Sequence, residues 1–129
     1  MSFFSPEKAD DLIPVLTPLV ERLWQLRRQL AITLLEEDPL LRRGRGAQRA
    51  PATEHRAAGE RAASLHAELI RMIGRIEAYG CVVKDLDLGL LDFPALRGGR
   101  PVFLCWKAGE AAVTHWHGTD ETFAERKLL

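Results

Sequence analysis

The chain has 129 residues, which suits one domain and leaves no spare length for a second. Hydrophobic residues make up 47% and charged residues 28%, so a disordered chain, a collagen-like chain and a disulfide-dense toxin are excluded. Eighteen Lys plus Arg balance eighteen Asp plus Glu, and this zero formal charge argues against a dedicated nucleic-acid binder.

Ser5-Pro6-Glu7 is a helix start: Ser5 caps, Pro6 suits the first helical position, and Glu7 favours the positive helix end. Pro14 and Pro18 follow, and each removes a backbone hydrogen bond from a helix interior. They predict a short opening turn over residues 6–13, a kink near Pro14, and a main helix on to about Glu37. Leu12, Leu16, Leu19, Leu23, Leu26 and Leu30 are spaced 4-3-4-3-4, a heptad seam of the coiled-coil kind. Ile13, Val20 and Trp24 run beside it and make the apolar face too wide for one partner helix.

Residues 38–53 read as a flexible, solvated loop carrying Arg42, Arg43, Arg45 and Arg49 among Gly and Pro. Thr53 is a cap for the next helix, and Gly59 delays firm helix to near Glu60. Ala58, Ala62, Leu65, Leu69, Met72, Ile76 and Tyr79 repeat the heptad seam, and Gly80 is the natural stop. The two helices are expected to form an antiparallel hairpin over residues 5–79.

After Gly80 the apolar period shortens from about 3.6 to about 2. Residues 80–118 read as a small antiparallel sheet of about four strands, and residues 119–129 as a tail. The strands are Cys81–Lys84, Leu90–Phe93, Val102–Lys107 and Ala112–His117, with turns at Asp85–Gly89, Gly98-Gly99 and Gly109. The fold class is α+β. Cys81 and Cys105 sit in apolar strands and read as small buried hydrophobes. The first residues lack the pattern of a secretion signal, and no window approaches the roughly 18 apolar residues of a membrane span, which predicts a cytoplasmic protein.

Four constellations bear on chemistry. His115 and His117 share one face of a strand, Asp120 follows within reach of a turn, and Cys105 lies on the preceding strand. Together they are a ligand set for zinc or another transition metal, subject to hairpin register, since a one-residue slip moves Cys105 to the other face. Cys105 with either histidine is also a thiol–imidazole pair, but a reactive thiol needs exposure that a mid-strand position denies it. Asp85, Asp87, Gly89 and Asp92 suggest a calcium loop, yet Gly89 stands where a further oxygen ligand belongs and the distal Glu is missing. They read instead as a turn whose Asp side chains accept nearby backbone N–H groups. The fourth constellation, Arg42, Arg43, Arg45 and Arg49, offers contacts to nucleic-acid phosphates, without interleaved aromatics.

Three stretches carry a family resemblance: Phe3-Phe4-Ser5-Pro6-Glu7-Lys8-Ala9; Val83-Lys84-Asp85 with Gly89-Leu90-Leu91-Asp92-Phe93-Pro94-Ala95; and Leu104-Cys105-Trp106-Lys107 with Gly109-Glu110 and Trp116-His117. The chain resembles the prokaryotic domain-of-unknown-function family 2203 over nearly its whole length. The resemblance implies a small helix-rich protein with no established activity and no catalytic residues to carry over. Asp85, Asp92, Phe93, Cys105, Trp106, Trp116 and His117 match the family pattern, whereas His115 stands where an aromatic is usual.

The leading expectation is a non-enzymatic homodimeric binding or scaffold protein, paired through the helical face at Leu16, Val20, Leu23 and Trp24, with no cofactor. The alternative is a metal-dependent hydrolase with ligands among His115, His117, Asp120 and Cys105. A third reading is nucleic-acid binding through the Arg-rich loop.

Overall fold

The computed structural model describes residues 2–37 and 52–129. Helix α1 spans Pro6–Glu37 and helix α2 spans Ala52–Glu77. Five strands follow: β1 (Val82–Asp85), β2 (Leu90–Arg97), β3 (Arg100–Lys107), β4 (His115–Gly118) and β5 (Lys127–Leu128), with a 3-10 turn at Phe123–Glu125. The α+β class and the helical hairpin are as the sequence predicts. Arg42, Arg43, Arg45 and Arg49 lie outside the described residues.

Helix α1 runs without interruption through Pro14 and Pro18, so the expected opening turn over residues 6–13 is part of the one helix. Both prolines are exposed, so the missing hydrogen bonds fall where water can serve the freed carbonyls. Buried Leu16 and Val20 hold the same stretch against the core. Helix α2 likewise needs no delay at Gly59, being formed from Ala52 onward. It ends where Gly80 takes a φ of 105° and donates its N–H to the Glu77 carbonyl.

The sheet is a simple antiparallel meander in the order β1-β2-β3-β4-β5. The fifth strand, from the segment read as a tail, adds to the four expected, pairing Trp116 with Lys127 and His115 with Leu128. Leu91, Phe93, Ala95, Val102, Leu104 and Trp106 form one buried cluster with Leu16, Val20, Leu23, Leu26, Leu69, Met72 and Ile76. One face of the sheet therefore covers the helical hairpin. Full burial of each large side chain here contributes roughly 1.5–3 kcal/mol.

That packing corrects the expected dimer contact. Leu16, Val20 and Leu23 are 0–1% exposed within a single chain, so the sheet occupies the face that a second chain was expected to cover. Trp24 is partly buried and donates its indole N–H to the Leu86 carbonyl at 3.0 Å. Its ring fixes the identity of residue 89: a Cβ there would lie 2.6 Å from Trp24 Cζ2, and φ is 68°, so only glycine fits. In the same turn Asp85 Oδ1 accepts the Leu88 N–H at 2.9 Å, and Asp87 pairs with Arg27 at the surface. Asp85 thus takes the turn role expected of these carboxylates, whereas Asp87 forms an ion pair and Asp92 lies within β2.

Further polar contacts fix the sheet on the helices. The Phe4 N–H donates to the Pro94 carbonyl at 2.7 Å, and the Val113 N–H donates to Asp10 Oδ1 at 2.7 Å. Phe4 and Phe93 add an edge-to-face ring contact at 5.2 Å.

Candidate metal centre

Alternation along a strand sends neighbouring residues to opposite faces. Leu91, Phe93, Leu104 and Trp106 face the helices, so Asp92 and Cys105 face away from them. Asp92 and Cys105 are direct cross-strand partners on β2 and β3. On β4, His117 pairs with Phe103, one step diagonal from Cys105 on the same face. Three adjacent strands thus deliver a carboxylate, a thiol and an imidazole to one place. Their ligand atoms all lie within 4.8 Å of one another, and all three residues are buried, at 1–2% exposure.

The hydrogen bonds of His117 define what this place requires. Nδ1 is 2.8 Å from the Gly118 carbonyl oxygen, which only accepts, so Nδ1 carries a proton. Nε2 is 3.0 Å from both Asp92 Oδ1 and Asp92 Oδ2. With Nδ1 protonated, a neutral ring presents a lone pair to a carboxylate. Two facing acceptors call for a proton or a metal ion between them. A backbone carbonyl on Nδ1–H is the usual partner that fixes Nε2 as the ligand atom of a metal-bound histidine. Zinc bonds of about 2.0 Å to nitrogen and oxygen would set two tetrahedral ligands about 3.3 Å apart, close to the spacing found.

Around the three residues lies a shell of charge. Arg126 grips Glu110 with two parallel contacts of 3.1 Å, and Glu110 Oε1 also accepts the Lys107 N–H at 2.7 Å. Burial alone would raise the Glu110 carboxyl, but Arg126 and the Lys107 N–H outweigh it and hold it below the ordinary value. The Arg126 guanidinium stands beside Cys105. Burial pushes the Cys105 thiol up to about 11, the Asp92 charge adds to this, and Arg126 opposes it. A buried thiol with its pKa raised in this way holds little thiolate and is a poor nucleophile. Phe103 packs on the His117 ring with centroids 5.7 Å apart. Both cysteines are unpaired, and Cys81 donates its thiol to the Ile76 carbonyl at 3.4 Å.

Of the four residues read as metal ligands, Cys105 and His117 come together, and His115 and Asp120 do not join them. His115 stands opposite Cys105 in register, yet its Nδ1 is engaged by Thr114 Oγ1 at 2.9 Å and its ring is partly exposed. Asp120 is exposed, because the chain turns at Gly118, where the Glu121 N–H donates to the Gly118 carbonyl and Glu121 Oε1 accepts the Gly118 N–H. Asp92 takes the carboxylate place that was assigned to Asp120. The signal for it was present: Asp92 lies between Leu91 and Phe93 in an apolar strand, and a carboxylate there needs a cation.

A family model described as an uncharacterized conserved protein, DUF2203, matches residues 2–129. The chain belongs to this family. No curated protein and no solved structure matches it significantly. Membership of DUF2203 brings no assigned activity, so chemistry rests on the site itself. Among the described residues of this DUF2203 chain, no helix is long and apolar enough to cross a membrane.

Proposed function

We propose that this DUF2203 protein is a non-enzymatic metal-binding protein whose Asp92, Cys105 and His117 hold zinc or a cation of similar ligand preference. The observation that carries the reading is the convergence of three buried ligand atoms within 4.8 Å, with the His117 ring oriented by the Gly118 carbonyl. The donor set of one thiolate, one imidazole and one carboxylate suits zinc and other transition metals better than magnesium or calcium, which favour all-oxygen sites. A hydrolytic centre keeps an open position for water and substrate. Three protein ligands leave the fourth position to water, and the 1–2% exposure of these residues keeps a substrate from reaching it. Two buried, unpaired cysteines accord with a reducing cytoplasmic setting.

Cobalt(II) titration tests the ligand set. Stoichiometric binding with a sulfur-to-cobalt charge-transfer band is expected for the wild type. The band should vanish in Cys105→Ser and persist in Cys81→Ser. A wild-type protein that binds no cobalt, or a band that survives in Cys105→Ser, contradicts the proposal.

A further inference from the structure

The β2–β3 hairpin carries an unfavourable charge arrangement. Arg97 and Arg100 are direct cross-strand partners on either side of Gly98-Gly99, whose φ values of 59° and 78° close the turn. Like charges placed directly opposite each other destabilise a strand pair. Among the described residues neither guanidinium has a carboxylate partner. Arg97 instead lies against the Trp116 ring, 4.7 Å from its centroid, and Lys127 Nζ lies 4.7 Å from the same ring.

A cleft of about 500 Å³ opens at this end of the sheet, lined by Arg97, Arg100, Trp116, Gly118, Thr119 and Asp120 among others. It lies on the face opposite the Asp92–Cys105–His117 centre, since Arg97 and Trp116 share the strand alternation of Phe93 and Leu104. Two guanidiniums against the single Asp120 carboxylate leave its lining positive. Trp116 brings a second sign: its indole Nε1 is sealed from water and meets no acceptor. An orphaned buried donor is costly, and a small shift of the ring toward an acceptor in the cleft would relieve it.

We propose that this cleft is a binding site for a phosphate-type oxyanion, clamped between Arg97 and Arg100 and seated beside Trp116. A planar guanidinium donates two parallel hydrogen bonds to such an oxyanion, and two of them facing each other suit a dianion better than any neutral ligand. Binding of the anion also turns the repulsive cross-strand pair into a bridged one. The site is independent of the metal centre.

Calorimetric titration of the full chain with inorganic phosphate, and separately with a nucleoside monophosphate, tests the proposal. Saturable binding of either supports it, and the tighter of the two names the source of the phosphate group. The double variant R97A/R100A should weaken binding about tenfold or more, while Arg71→Ala, an exposed arginine of α2 outside the cleft, leaves it unchanged. In parallel, phosphate should shift the Trp116 indole N–H resonance, assigned by its loss in Trp116→Phe. Both arginines are exposed, so circular dichroism is expected to show the double variant folded. Three results overturn the proposal: no saturable binding of either anion at millimolar concentration, undiminished binding in R97A/R100A, or binding weakened as much in Arg71→Ala as in R97A/R100A.

Discussion

At the scale of single residues, the account turns on Asp92. Its side chain is in the sheet interior, 3.0 Å from His117 Nε2, and removing one member of a buried charged pair leaves the other uncompensated. Asp92→Asn is therefore expected to destabilise the fold by about 3 kcal/mol or more, measured by urea unfolding. Asp120→Ala and His115→Ala, both on more accessible side chains, should fall within about 0.5 kcal/mol of the wild type. Equal effects from Asp92→Asn and Asp120→Ala would contradict the ligand assignment. The same residues show where sequence alone is readable. Cys105 and His117 are recognisable as metal-ligating types on facing strands. Choosing their carboxylate requires register, because Asp92 meets Cys105 only through the β2–β3 pairing. Proximity in sequence favoured Asp120, which the turn at Gly118 carries away.

At the scale of elements, local periodicity and long-range pairing were unequally legible. The heptad spacings located both helices and their buried stripes, since Leu16, Leu23, Leu26, Leu69 and Ile76 all lie in the core. Pro14 does not end the helix: a proline on the exposed side of a long amphipathic helix is tolerated when the opposite side is fixed by packing. The two-residue strand β5 leaves no periodic trace, and exists through its pairing with β4. The segment before it carries the Arg126 that binds Glu110 across the β3–β4 loop. The Glu110 carboxyl sits below its ordinary value of 4.5, so its contribution to stability is present above that pH and is lost as pH falls through the lower folded-state value. The wild type should accordingly lose stability more steeply below pH 4.5 than Glu110→Gln, with the two differing most at neutral pH. Thermal melts across pH 3–7 check this, and parallel curves for the two proteins would deny Glu110 that role.

At the scale of the molecule, the sheet has two distinct faces. One packs on the helical hairpin through Phe93, Leu104 and Trp106, and completes an apolar core that the helix sequences alone left open. That second layer was the hardest feature to foresee, and without it Leu16, Val20 and Leu23 look like a dimer surface. The other face buries Asp92, Cys105 and His117 beneath the Arg126–Glu110 pair. Burying a carboxylate and an imidazole together is costly unless a cation neutralises them, and a metal ion would also tie β2, β3 and β4 to one another. A ligand at 100 times its dissociation constant stabilises a fold by about 2.7 kcal/mol, so zinc should raise the melting temperature by several degrees. The most direct measurement is the metal content of untagged protein purified without chelator, for the wild type beside His117→Ala. The account predicts close to one transition-metal ion per wild-type chain and almost none in the variant. Wild-type protein that stays metal-free after exposure to zinc, with an unchanged melting temperature, would contradict it and leave His117 and Asp92 as a buried hydrogen-bonded pair.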